Sequence, residues 1–204
     1  MRIAIFILSL LILQLNSNAQ VNTYEIIPQS NSSIDSALVM KLTKVTKNCA
    51  YLSREEKDVI QWMNIARMYP KWFLYFRKIK NTDPVYTKTL IKTLMTMQPI
   101  QQKLIPSKEL FFAAKCHAET AGPIAYMGHK RQNAKCKKPF HAECIYYGNG
   151  NAARVVEAFL IDKGVPSLGH RLSLLNAKLK VVGLNQGPFG KDQKSSITVV
   201  DFKR

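Results

Sequence analysis

FHAECIYYGNGNAARVVEAFLIDKGVPSLGHR, residues 140–171, is the stretch whose reading decides the fold. Phe140 to Tyr147 alternates like a strand. Phe140, Ala142, Cys144 and Tyr146 would face one way, and His141, Glu143, Ile145 and Tyr147 the other. Gly148-Asn149-Gly150-Asn151 turns the chain. Ala152, Val155, Val156, Phe159 and Leu160 then recur at helical spacing, with Gly164 as the expected C-cap. A short helix is expected from Gly169 to Leu175.

Upstream, helical signals dominate. Ser53 and Glu56 form a capping box, with Leu52 positioned to staple the first turn. Val59, Trp62, Met63 and Ala66 share a helical face, and Pro70 ends or restarts that helix. Trp72, Phe73, Tyr75 and Phe76 follow and read as core rings. Tyr86, Leu90, Leu94 and Met97 mark another helix. Pro106-Ser107 opens a third, carrying Leu110, Ala113, Ala114, His117, Ala118 and Ala121, which Gly122-Pro123 stops. Downstream, Val181 to Leu184 and Ile197 to Phe202 are two β-rich runs joined by a Gly/Pro/Asp turn. Helices come first and strands late, which predicts an α+β domain with a small antiparallel sheet.

The length, 204 residues, suits one domain plus extras. Apolar residues at 47% and charged residues at 21% exclude wholesale disorder. Thirty Lys and Arg against 13 Asp and Glu leave a formal charge of +17, which points to acidic partners. Met1-Arg2, the apolar run Ile3 to Leu15 and the small residues Ser17-Asn18-Ala19 read as a secretory signal peptide, cleaved after Ala19. The run is too short for a membrane span of about 20 residues. No other long apolar run follows, so no transmembrane segment is expected in the mature chain. The expected organisation is a signal peptide over 1–19, a polar leader over 20–50 and one domain over 51–204. The expected location is secreted or periplasmic. Asn31-Ser32-Ser33 is formally a glycosylation sequon.

Four cysteines, Cys49, Cys116, Cys136 and Cys144, allow two disulfides in three pairings for an exported chain. Cys136–Cys144 closes the shortest loop, and sequence does not choose among the pairings. The absence of a Cys-x-x-Cys motif argues against a zinc knuckle or a thioredoxin-type site. Lys130, Arg131, Lys135, Lys137 and Lys138 form a run without acid. It reads as a solvated face, or as a rim for acidic cell-envelope polymers or lipid headgroups. Nucleic acid is not expected, because neither interleaved exposed aromatics nor a recognition motif is present.

His129, Glu143, Asp162 and His170 stand out as candidate chemistry. Glu143 lies mid-strand among apolar neighbours, where a carboxylate is expensive unless paired. Asp162 falls on the apolar face of its helix. His129 and His170 each follow a glycine in a loop. Two imidazoles and two carboxylates suit a divalent metal or an acid–base pair.

Several motifs carry a resemblance. Glu56-Lys57-Asp58-Val59-Ile60 is followed by Asn64-Ile65-Ala66-Arg67 and Tyr69-Pro70. Ala113-Ala114 and His117-Ala118 precede Gly128-His129, then Glu143-Cys144-Ile145. Val155-Val156 to Asp162 leads into Gly164-Val165-Pro166-Ser167-Leu168-Gly169-His170-Arg171, and Leu174-Leu175-Asn176 and Val182-Gly183 follow. Over about residues 51 to 204 the chain resembles the CAP superfamily of cysteine-rich secretory, antigen 5 and pathogenesis-related 1 proteins. The secreted bacterial SCP-domain branch is the most similar.

The resemblance implies a three-layer α-β-α sandwich with an open cavity lined by His129, Glu143, Asp162 and His170. It further implies that His129 and His170 bind a divalent metal such as zinc, as in some members. Asp162 stands where many members have Glu, and Cys144 where Asn is usual. His117 reads as a packed core histidine. His141 reads either as a partner of Glu143 or as a rim residue.

Two functions follow as expectations. One is an exported binding module holding a metal or small ligand in that cavity. The other is a metal-assisted hydrolase with Glu143 or Asp162 as general base. Neither Gly-x-Ser-x-Gly nor His-Glu-x-x-His occurs. Cys144 should point away from Glu143, which argues against a catalytic Cys–His pair.

Overall fold

The computed structural model describes residues 35–45 and 48–204. The signal-peptide stretch with its cleavage at Ala19, and the Asn31 sequon, lie outside the described residues. The elements run α1 (Ser36–Thr43), α2 (Arg54–Met68), α3 (Pro70–Arg77), α4 (Thr87–Thr96), β1 (Ile105–Pro106), α5 (Lys108–Ala121), β2 (Ala142–Tyr147), α6 (Ala152–Ile161), α7 (Gly169–Leu174), β3 (Val181–Phe189) and β4 (Ser195–Lys203).

Four strands form one sheet in the order β1-β3-β4-β2. The pairs β2/β4 and β3/β4 are antiparallel, whereas β1 runs parallel to β3. The sheet is therefore mixed and not purely antiparallel. A two-residue strand has no periodicity to read. It exists because the Ile105 and Ser107 amides donate to the Lys180 and Val182 carbonyls.

The alternation along β2 sorts side chains as expected. Cys144 joins Val182, Leu184, Val200 and Phe202 in the main core beneath α2 and α6. Ile145 joins Ile197 and Val199 on the opposite face, against Ala114, Ala118 and Ala121 of α5. Helices thus cover both sheet faces. The small residues let α5 approach closely. At Gly183 an added Cβ would lie 2.2 Å from the Phe111 nitrogen and 2.3 Å from the Leu110 carbonyl carbon.

The caps follow the sequence chemistry. The Glu56 amide donates to Ser53 Oγ at 3.2 Å and the Ser53 amide to Glu56 Oε2 at 2.7 Å. Ser107 caps α5, and Pro70 occupies the first turn of α3, where its missing N–H has no helical acceptor.

Three stretches depart from the expectation. α6 stops at Ile161, and Asp162, not Gly164, is its C-cap, at φ 56°. Aspartate tolerates this left-handed conformation better than most residues, and here its side chain gains partners by it. Of the aromatic run, Trp72 and Phe73 are buried, but Tyr75 and Phe76 are exposed. Phe76 instead stacks on Trp72 at the surface, with ring centroids 4.6 Å apart. Finally, the segment read as a leader contains α1, whose Val39 belongs to the core. The Gln61 side-chain amide holds α1 by donating to the Met40 carbonyl at 2.7 Å.

Candidate functional site

Two imidazoles are treated alike. His129 lies in the loop after α5, and its Nδ1 meets Glu143 Oε1 at 2.9 Å. His170 opens α7, and its Nδ1 meets Asp162 Oδ1 at 2.7 Å. The Nε2 atoms of both make no hydrogen bond to the described protein. A carboxylate at Nδ1 fixes the tautomer and the ring plane, and leaves Nε2 as the ligand atom.

The Asp162 end is built by the break in α6. Turning left-handed aims the short side chain back at the next helix. Its Oδ2 accepts from the backbone amides of His170, at 2.9 Å, and Arg171, at 3.3 Å. One residue thus ends α6, caps α7 and orients an imidazole. The short reach of an aspartate side chain suits this local geometry. Beside His170, whose ring tilts against Phe159, lies a cleft of about 300 Å3. Its wall includes Ile145, Tyr147, Phe159, Asp162 and His170, but neither His129 nor Glu143, so this cleft takes in only two of the four expected residues.

The Glu143 end is more heavily charged than the sequence suggested. Glu143 faces Asp201 directly across the β2/β4 pair. Arg131 Nη1 lies 2.6 Å from Glu143 Oε2, and its Nη2 lies 3.7 Å from Asp201 Oδ2. The Arg131 side chain is 5% exposed and sits over the Phe140 ring at 5.0 Å. The contact is an ion pair without aligned hydrogen bonds, since the Arg131 nitrogens, Glu143 Oε2 and both Asp201 oxygens lack aligned partners.

Burial and the Glu143 charge push the Asp201 carboxyl up to about 9, against the pull of Arg131. Burial also pushes Glu143 upward, but the His129 hydrogen bond and the Arg131 charge outweigh it, and Glu143 falls below its ordinary value. The buried pair therefore holds a proton more tightly than two separate carboxyls would.

This arrangement has a stability consequence. A raised folded-state value means that the Asp201 contribution is present below the ordinary carboxylate range and lost as pH rises through about 9. The Glu143 contribution has the opposite sign: it is present above the ordinary range and lost as pH falls through its lowered value. An Asp201→Asn variant should therefore lose less stability than the parent between the ordinary carboxylate range and about pH 9. Melting temperatures across that interval measure it, and parallel curves for the two proteins would refute the shared proton.

Asp201 and Arg131 were both missed from sequence. Asp201 hides in a β-rich run, and only the strand register reveals its partner. Arg131 belongs to the run read as solvated or rim-forming. It is the single guanidinium among lysines there, the cation type suited to a buried carboxylate. His117 is a core histidine, fully buried, with Nε2 2.9 Å from the Gly128 carbonyl oxygen. Burial and the Arg131 charge lower its basicity. His141 is exposed just outside β2 and makes no side-chain bond to Glu143, so it is not that carboxylate's partner.

The disulfide joins Cys116 to Cys136, not the shortest-loop pair Cys136–Cys144. Cys144 is buried on the other sheet face, and burial drives its thiol well above the usual range. It is a poor nucleophile there. The bridge instead pins the loop that delivers His129 and Arg131.

The fold and site together define a mixed α/β domain with helices on both sheet faces and two carboxylate-held histidines. No model of a known protein family matches the chain, and no curated protein matches it significantly. Among the described residues, no group of three or more His, Cys, Asp or Glu side chains is placed to hold a metal ion. Among the described residues, no helix is long and apolar enough to cross a membrane.

Proposed function

We propose that the chain is an exported CAP-type binding module that uses Nε2 of His129 and His170 toward a divalent metal or small ligand. The observation that carries this reading is the matched clamping of two imidazoles through Nδ1 by Glu143 and Asp162. Two imidazoles with Nε2 unbonded are the donor type of open two-histidine ligation, with the remaining positions left to water or ligand, and not of a closed structural site. A zinc ion held there would act as a Lewis acid toward a bound oxygen ligand. The covering of both sheet faces by helices supports the three-layer CAP reading, and the Cys116–Cys136 bridge supports an oxidising location.

The same engagement weighs against metal-assisted hydrolysis. Glu143 is held by His129 and Arg131, and Asp162 by His170 and two backbone amides. Neither carboxylate is free to take a proton from water, so both serve as positioning groups. Glu143→Gln and Asp162→Asn should each lower zinc affinity about 10–100-fold while the protein stays folded. Affinity unchanged in both, measured by competition with a chromogenic chelator, would remove the carboxylates from the site.

A further inference from the structure

The loop after α5 has a division of character that the candidate site does not use. Pro123, Ile124, Ala125 and Met127 are all exposed, with Ile124 at 61% and Met127 at 64%. Lys130, Lys135, Lys137 and Lys138 follow, also exposed, and no acidic residue occurs from 122 to 142. Arg131 is turned inward against Glu143, so these four lysines are the outward charge of the loop.

The apolar tip is held in place. Ala125 adopts a left-handed φ of 53° with its amide donating to the Gly122 carbonyl, and the Tyr126 amide donates to Ala121. At the far side the Gly128 amide donates to the Tyr147 hydroxyl at 2.7 Å, and its carbonyl meets His117. The basic limb is anchored to α5 through Cys116–Cys136. A fixed pair of exposed apolar side chains flanked by uncompensated lysines is the composition of an interfacial membrane contact. The apolar groups enter the headgroup boundary and the lysines stay with anionic lipid phosphates.

We infer that the loop over residues 122–138 docks the protein on an anionic lipid bilayer, with Ile124 and Met127 inserted and the four lysines on the headgroups. The inference is independent of the metal reading. Docking would present the loop carrying His129 to the membrane side of the molecule.

The test is co-sedimentation of the full, disulfide-bonded chain with phosphatidylglycerol/phosphatidylcholine vesicles and with phosphatidylcholine alone. The parent is compared with Ile124→Ser/Met127→Ser and with Lys135→Glu/Lys137→Glu/Lys138→Glu. All three proteins share the same N-terminal segment, so differences among them report the loop alone. The expected result is binding to anionic vesicles that weakens with salt. The apolar variant should lose at least about tenfold, and the lysine variant on the order of 100-fold, at about fivefold per lysine. Equal binding to neutral vesicles would overturn the inference, as would either variant binding like the parent. So would retention on soluble polyphosphate without vesicle binding, or a loss in the apolar variant of self-association and not of lipid binding.

Discussion

Replacing Arg67 by Ala should lower folding stability by about 3–5 kcal/mol. Arg67 sits in the last turn of α2 and is fully buried. Its partners are carbonyls. Nη1 donates to Leu174 at 2.7 Å and Asn176 at 3.0 Å, and Nη2 donates to Leu179 at 2.9 Å. Burial lowers the guanidinium to about 10, which leaves it charged at neutral pH. Truncation would strand three carbonyl oxygens and leave a cavity in the core. The segment involved, 174–179, joins α7 to β3, so the loss reaches the helix that carries His170. Single-domain stability is typically about 5–15 kcal/mol, so much of it is at stake. Arg67→Lys should recover only part, because one ammonium cannot reproduce a planar fork. Urea midpoints measure the effect. A loss under about 1 kcal/mol for Arg67→Ala would show that the carbonyls find other donors.

Gly183→Val should be comparably severe, at about 3 kcal/mol or more. The reason is steric. The added carbon meets α5 backbone at Phe111 and Leu110, and backbone cannot rotate aside as a flexible side chain can. The helix must lift from β3, which also loosens the Ala114, Ala118 and Ala121 contact with the sheet. Gly183→Ala should show the same direction with smaller size. Wild-type stability in Gly183→Val would mean that the helix and sheet are not in close contact there.

The sequence was most legible where one residue type has one local job. Ser53 with Glu56, Ser107 and Pro70 mark helix starts because their chemistry acts within a turn of chain. The alternation from Phe140 to Tyr147 sorted Cys144 from Glu143 because a strand has no choice of side. What remained hidden depends on tertiary partners. β1 is too short to carry a pattern, and its parallel pairing comes from β3. Asp201 gains meaning only from its register with Glu143. Asp162 looked like a residue of the helix face. Its value lies in leaving the helix, which lets its carboxylate meet the first amides of α7 and the His170 ring. Loop-closure entropy favoured Cys136–Cys144, but burial of Cys144 in the main core decided otherwise.

The pairing of each imidazole with a carboxylate is the central feature of the site, and zinc is the simplest probe of it. Calorimetric titration of zinc into the metal-free protein at neutral pH, beside His129→Ala/His170→Ala, tests it most directly. The account predicts one-to-one binding in the parent and its loss in the variant, with both proteins equally folded by circular dichroism. Equal zinc binding by the two folded proteins, or none by the parent, would contradict it.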